Sequence, residues 1–469
     1  MGKKTFLSLF IIVNLLLFLF LNASVLLKLS FFVNFLILLY LTYYNIYIEK
    51  RFSPFLSVFI VFQALFFIVA PLIQIDDIIV NSNYGTGKFI QGFPFKENIC
   101  IRANYYIAIF NVVFFAAYLF FKQKTKTYNY NPSKSSLLIG VIILFAFSIF
   151  IFLFNFNTIL FQYQNEYYKE AEQTTVSSYL MVQKFLFFLP FAGLILAKYY
   201  LNITFKENKN YKIVWYLMLF FLILIIVLKN PLTEKRNALG PLYITILFMF
   251  FTKQFASNFR VTRFMFIIMV LLFPIITIIT HSRHSLTQMI SKPILIQKNI
   301  EYLSVNDAFN SLHYDAYPNF LATIDYRDKK EVVNGRQLLC SVFFFVPRKI
   351  WENKPETTGF LIGYYLIEKY KFNWYNLSNP YISEGYINFG FFGILLFAII
   401  LAYVFAKLVA WIESKDYLKI VFSFYFSIYL MYFLRGDLTN GIAFIFAFWL
   451  AVYFVPKATF SLLSYYAKR

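Results

Sequence analysis

Hydrophobic residues run along this chain in blocks of about 16–22 between short polar breaks, close to the length one helix needs to cross a bilayer. Twelve such blocks are predicted, near 6–21, 31–48, 54–75, 104–121, 136–154, 179–199, 213–228, 237–251, 264–280, 391–411, 420–434 and 441–456. The first follows Met1-Gly2-Lys3-Lys4 and superficially has the layout of a signal peptide. No convincing small-x-small cleavage site comes after it, so it is predicted to stay as an anchor helix. Between the ninth and tenth blocks, residues 281–390 contain amphipathic stretches and no full span. Connections of that size usually act as lids or binding elements. The predicted organisation is a nine-span region at 1–280, a large loop at 281–390 carrying the catalytic and binding motifs, and a three-span region at 391–469. The two halves show no matched, Gly/Pro-broken spans of the kind many secondary transporters display.

Composition supports the pattern. Hydrophobic residues make up 60% of the 469 positions and charged residues 14%, with a mean hydropathy of +0.64. Soluble domains carry roughly 45–50% apolar and about 25% charged residues. The chain therefore has too little polar surface for an aqueous fold, which excludes a cytosolic enzyme, a secreted disulfide scaffold and a disordered tail. The expected fold is an all-α polytopic membrane protein. The net charge of +21 reads as lysines of cytoplasmic loops under the positive-inside rule, not as nucleic-acid binding. With the N-terminus inside, the cytoplasmic segments carry about twenty Lys/Arg against about nine on the opposite short loops. Both termini are then cytoplasmic, and the 281–390 loop lies outside.

Cys100 and Cys340 define no disulfide framework and match no metal site. Both are placed outside the membrane and read as free thiols, with a single disulfide as the alternative. His281 and His284 stand one helical turn apart without a third ligand, so no metal site is predicted. No cofactor is implied.

Only 11 of the 43 basic residues are arginines, and seven fall on the outer side: Arg102, Arg236, Arg283, Arg327, Arg336, Arg348 and Arg435. The topology rule would push basic residues the other way. Arginine offers a planar, permanently charged fork that grips phosphate bidentately, so the set points to an anionic ligand. The plainer alternative is seven solvated loop residues. Arg236, Arg283 and Arg435 sit at outer ends of spans, where they either snorkel to the interface or converge on a cationic pocket. For Arg435, a pair with Asp437 is an equally good reading.

In the loop, the apolar run Leu338–Val346 ends at Pro347 and then presents Arg348, Lys349 and Lys354 beside Trp351. That pattern suits an amphipathic helix at the membrane interface or on a surface. Glu384 and Asn388 are one turn apart on one helix face at the mouth of the tenth span. A carboxylate there is costly unless it is used or paired. Gly385, Gly390 and Gly393 allow close helix packing.

The run Val346-Pro347-Arg348-Lys349-Ile350-Trp351-Glu352-Asn353-Lys354-Pro355 with Gly359 downstream, then Ser383-Glu384-Gly385-Tyr386-Ile387-Asn388-Phe389-Gly390-Phe391-Phe392-Gly393, resembles the bacterial Wzy-type polymerases of O-antigen or oligosaccharide repeat units. The Arg435-Gly436-Asp437 turn fits the same pattern. The resemblance covers the whole topology loosely and residues 335–393 more specifically, with Gly385-Tyr386 standing where a Glu-x-Tyr-like run is expected. It implies a glycosyltransferase of the inner membrane, working on the periplasmic face. Such an enzyme moves a growing glycan from its polyprenyl-diphosphate carrier onto a new carrier-linked repeat unit. The implied partners are the lipid-diphosphate-linked oligosaccharide donor and acceptor, membrane lipids, a chain-length regulator and a flippase, with no nucleic acid.

That chemistry needs fixed cations for the leaving diphosphate and a base for the acceptor hydroxyl. The candidate catalytic residues are Glu384, Asp315 and His313, with Asp437 beside them. The candidate diphosphate and glycan ligands are Arg236, Arg283, Arg336, Arg348, Lys354, Arg435, Trp351 and Asn388, with Tyr364, Trp374 and Tyr381 as further stacking surfaces. Two alternatives remain. An O-antigen ligase would share the layout, and its loss would abolish surface attachment altogether. A flippase or transporter of lipid-linked oligosaccharide would need polar residues deep in its spans, where Lys184 is the main exception to their near absence.

Overall fold

The computed structural model describes residues 2–80, 92–122, 133–157, 159, 186–204, 209–231, 236–272, 309–330, 333–458 and 460. All secondary structure among them is helical. Nine helices among the described residues are long and apolar enough to cross a membrane, and Phe188–Ile203 and Leu239–Phe250 are shorter apolar helices. The chain is a multi-pass membrane protein. The first third of the expected sixth span, the second half of the ninth and residues 281–308 lie outside the described residues, together with Lys184, His281, Arg283 and His284.

The chain divides into two compact units. The first comprises Met1–Thr125, Lys253–Val409 and Leu430–Ala443, and it holds every described site residue except Arg236. Its helices begin with α1 (Lys3–Phe20), α2 (Val25–Tyr43), α3 (Pro54–Ala64), α4 (Ala70–Val80) and α5 (Glu97–Lys122). Every residue of α3 is buried, as expected for a helix that is apolar all round. On α1, by contrast, Leu19 and Phe20 are three-quarters exposed, which suits a helix bordering hydrocarbon. Within hydrocarbon every polar group needs an internal partner. Accordingly Asn34 Nδ2 donates to the Asn104 carbonyl (2.8 Å) and Asn104 Nδ2 to Ser30 Oγ (2.8 Å), tying α2 to α5.

The second unit comprises Lys126–Thr252, Ala410–Tyr429 and Phe444–Arg469. Within it lie α6 (Lys134–Phe154), α7 (Phe188–Ile203), α8 (Lys209–Leu228) and α9 (Arg236–Phe250). It is packed by rings: Phe248 stacks on Phe424 at 3.8 Å and Tyr425 on Phe448 at 3.8 Å. Gly193 takes the Phe221 ring where a side chain would collide with it.

The first unit resumes with α10 (Asn258–Ile267), α11 (Ala316–Arg327), α12 (Arg336–Val342) and α13 (Thr358–Tyr370). The last helices are α14 (Tyr381–Ile412), α15 (Tyr417–Arg435) and α16 (Leu438–Trp449). The segment 316–388 therefore supplies short helices rather than spans, as the amphipathic pattern predicts.

α14 is not one straight helix. Phe389 (φ −137°, ψ 15°) and Gly390 (φ 61°, ψ −145°) break it, and the second conformation is open only to glycine. A Cβ on Gly385 or Gly393 would collide with the other's carbonyl. Eight residues along a continuous helix are about 12 Å apart, so this contact requires residues 381–388 to fold back against the start of 391–412. The span itself then begins after the break. α5 differs from expectation in the other direction. It starts at Glu97, so Cys100 lies inside a span-length helix instead of a loop, and Cys100 and Cys340 are both buried free thiols.

Candidate functional site

The site is built where the two ends of the 309–388 segment meet the turn between α15 and α16. α11 carries Asp315, Asn319 and Thr323 at intervals of four, a polar stripe on one helix face. The extended chain 376–380 answers it. Ser378 Oγ donates to Asp315 Oδ2 (2.6 Å), Asn319 Nδ2 to Ser378 Oγ (3.3 Å), and Thr323 Oγ1 to Asn379 Oδ1 (3.2 Å). That chain lies hard against α13, where Gly359 and Gly363 have no room for a Cβ beside the carbonyls of Leu377 and Tyr375.

Arg435, the last residue of α15, reaches into this layer. Its Nε donates to Asp315 Oδ1 at 2.9 Å across 120 residues of sequence. The Asp315 side chain is 3% exposed and the Arg435 side chain 21%, so the guanidinium is anchored from behind and keeps a face toward solvent. The ion pair therefore joins Arg435 to Asp315, while Asp437 has a different task. Its Oδ1 caps α16 through the N–H groups of Thr439 (2.9 Å) and Asn440 (3.4 Å), and its Oδ2 accepts from the Gly359 N–H (3.3 Å).

Glu384 enters the same turn. Its Oε1 accepts from Thr358 Oγ1 (2.5 Å) and from the Leu438 N–H (3.1 Å), the first amide of α16. Two carboxylates thus converge on one helix N-terminus, where the partial positive charge favours them. Neither has a cation among the described residues. Asn388, one turn beyond, turns Nδ2 back to the Glu384 carbonyl (2.9 Å). Its buried Oδ1 has no partner among the described residues, and nor do Ser383 Oγ, Asn319 Oδ1 and Asn379 Nδ2. Buried polar atoms of that kind are rare and need an explanation, such as a water, an ion or a ligand. His313 sits two residues before Asp315 in the short turn Leu312–Tyr314, and it is half-buried where Asp315 and Glu384 are buried.

The structure therefore joins Arg435 to Asp315, with His313 two residues away in sequence, and sets Glu384, with Asn388 bonded back to its carbonyl, at the turn that follows Arg435. Arg348 and Lys354 are occupied within their own loop. Arg348 donates to the carbonyls of Lys354 (2.7 Å) and Pro355 (3.4 Å) and pairs with Glu356 (3.0 Å). Lys354 Nζ donates to the carbonyls of Phe343, Phe344 and Val346 at 2.9–3.1 Å, closing the end of α12. Trp351 meets Phe343 edge-on (6.2 Å), and Arg336 is exposed at the start of α12. Tyr364 and Tyr375 stack at 5.5 Å on the exposed side of α13, and Tyr381 is buried against Phe397 and Phe433. Arg236 opens α9, but its side chain, like Arg283, lies outside the described residues.

Sequence reasoning missed Thr358 and Ser378, which hold the two buried carboxylates. The four-residue rhythm of Asp315, Asn319 and Thr323 was a readable sign that α11 buries a polar face. No three-residue cluster of His, Cys, Asp and Glu able to hold a metal ion occurs among the described residues. Comparison of the chain with protein-family models, with curated proteins and with solved structures finds no match.

Proposed function

We propose that this chain is a twelve-span glycosyltransferase of the bacterial inner membrane, with both termini cytoplasmic and the 281–390 loop on the periplasmic face. It polymerises polyprenyl-diphosphate-linked oligosaccharide units into O-antigen or a related surface polysaccharide. The observation that carries this reading is Arg435, anchored by Asp315 and partly exposed, at the end of a helix whose following turn holds Glu384 and Asp437. The resemblance of residues 335–393 to Wzy-type polymerases supplies the substrate class.

In the reaction, the acceptor hydroxyl oxygen bonds to the donor's anomeric carbon. The bond from that carbon to the diphosphate oxygen breaks, and its electron pair leaves with the carrier diphosphate. Arg435 stabilises the charge that develops there. The hydroxyl proton passes to a base, and His313 is the candidate that solvent reaches, since Glu384 and Asp315 are buried. An imidazole is the side chain most often used as a general base. Asp315 positions Arg435, and Glu384 with Asp437 positions the turn that carries it.

The test is a gel ladder of surface polysaccharide from a strain lacking the gene. Collapse to core plus one repeat unit, restored by the wild-type chain but not by Arg435→Ala, supports the polymerase. Loss of all surface attachment indicates the ligase instead. An unchanged ladder removes the proposal.

A further inference from the structure

A second arginine pair lies at the opposite end of α11 from Asp315. Arg327 is the last residue of that helix, about 18 Å along the axis from its start. Its guanidinium sits 5.8 Å from the centre of the Tyr386 ring. A Cβ on Gly390, at the break in α14, would lie 3.4 Å from Arg327 Nη2. Tyr386 in turn packs against Tyr106 of α5 (5.2 Å), and Arg102, one turn earlier on α5, lies within electrostatic reach of both phenols. Arg102 is paired with Asp328 (2.5 Å), a carboxylate that is itself 39% exposed.

The balance of charge here is strongly positive. Arg102 pairs with Asp328, Asp325 binds Lys329 (2.8 Å) and Lys369 (3.3 Å), and Arg327 and Lys330 flank Asp328 in sequence. Arg102 Nε and Arg327 Nε are buried donors with no acceptor among the described residues. Each guanidinium has one acceptor among the described residues, Asp328 for Arg102 and the Lys330 carbonyl (3.3 Å) for Arg327, and each keeps an unmet Nε beside the phenols; a planar fork of this kind matches phosphate oxygens.

We propose that Arg102 and Arg327, with Tyr106 and Tyr386, bind a phosphate ester carried on a lipid. This proposal rests on the polymerase reading for its substrate: the ligand is the diphosphate of the acceptor, while Arg435 takes that of the donor. The acceptor's reactive hydroxyl lies at the far end of its oligosaccharide from its own diphosphate. A polymerase therefore needs two anion sites separated by the length of a repeat unit, and the two ends of α11 provide such a separation. Asp328 occupies Arg102 until the ligand displaces it.

The test is equilibrium binding of labelled farnesyl diphosphate to the purified full chain in phosphatidylcholine nanodiscs, with farnesol as control. Two classes of site are expected. Arg102→Gln combined with Arg327→Gln should remove one class or weaken it about tenfold or more, and Arg435→Ala should remove the other. Asp328→Asn keeps both arginines and frees Arg102, so it should tighten the first class several-fold. Should the double variant fail to fold, this single variant decides alone. Unchanged binding in the double variant, or unchanged or weaker binding in Asp328→Asn, overturns the proposal. If phosphatidylglycerol nanodiscs abolish the first class, the occupant is a bilayer phosphate and the acceptor assignment falls. If the wild-type chain shows only the class that the Arg102/Arg327 double variant removes, this site stands while the polymerase reading fails.

Discussion

The first unit buries two glutamates, and they are treated in opposite ways. Glu49 follows α2, and Lys122 ends α5. The Lys122 ammonium donates to both Glu49 oxygens at 2.7 Å, Tyr44 and Tyr118 donate to Oε2 at 3.3 Å, and the Arg51 N–H donates to Oε1 at 2.9 Å. That carboxylate is saturated and neutralised. Glu384 has one hydroxyl and one backbone amide, a second carboxylate beside it, and no cation among the described residues. Its neighbours Ser383 and Asn388 keep buried polar atoms without partners among the described residues. The cation of that region, Arg435, is held by a different carboxylate and is turned partly toward solvent. A buried charge that only stabilises is compensated on the spot. Around Glu384 that compensation is absent, and hydrogen bonds stay unmet among the described residues. The contrast supports the proposal of a site around Arg435 and fits Glu49 as an architectural residue.

The comparison breaks most decisively by activity. Arg435→Ala and His313→Ala are expected to reduce polymer formation by about 10²–10⁴-fold at normal expression levels, read from the surface-polysaccharide ladder. If His313→Gln polymerises normally and Glu384→Gln does not, the base is Glu384. Glu384→Gln keeps the Oε1 acceptor for Thr358 and Leu438, so polymerisation is expected to stay within several-fold of wild type.

The architectural half predicts stability without chemistry. Lys122→Met leaves Glu49 buried without its cation and should cost ~3 kcal/mol, seen as a lower melting temperature of the solubilised chain with a normal pattern of polymer lengths from whatever protein folds. Gly363→Ala should come next, at about 1–3 kcal/mol, because its Cβ meets the Tyr375 carbonyl and pushes the 376–380 chain off α13. Polymerisation should fall with it, since Ser378 would then lose Asp315.

The smallest expected effect is a pH window in the loop. Burial pushes the Asp325 carboxyl up, but the Lys329 ammonium and the hydroxyls of Tyr365 and Tyr370 outweigh it and leave it below the usual carboxylate range. Burial, reinforced by Asp325, holds both phenols above their ordinary range. A depressed carboxyl contributes stability above its unfolded pKa of about 3.9, and loses it as pH falls through the lower folded value. A raised phenol contributes below about 10, and loses it as pH rises through the higher folded value. Protection of the α11 and α13 amides, relative to their intrinsic exchange rate at each pH, should therefore be greatest between these limits, and Asp325→Asn should abolish the acid-side change.

Much of this was legible in the sequence. The apolar blocks locate helices because a bilayer demands about 20 apolar residues whatever the rest of the chain does. Glu384 and Asn388 were readable as one face of a short helix because four-residue spacing is a local property. The partners of Arg348 were not legible, for a physical reason. An arginine in a Pro-bounded loop reads as a ligand contact, yet backbone carbonyls a few residues away satisfy the same fork. The reversal at Gly390 was only hinted at, because its glycines fit ordinary helix packing equally well.

The sequence by itself determined a multi-pass helical protein, the place of its short loop helices, and the residues able to carry charge. Only the tertiary structure decided which charges meet. Arg435 finds Asp315 across 120 residues, two carboxylates share the first turn of α16, and Arg102 reaches Asp328 from a different helix. Helices are set by local periodicity and by solvent, whereas an ion pair depends on the path of the backbone between its partners. Here that path turns on a glycine that folds α14 back and on two more that let the 376–380 chain lie against α13.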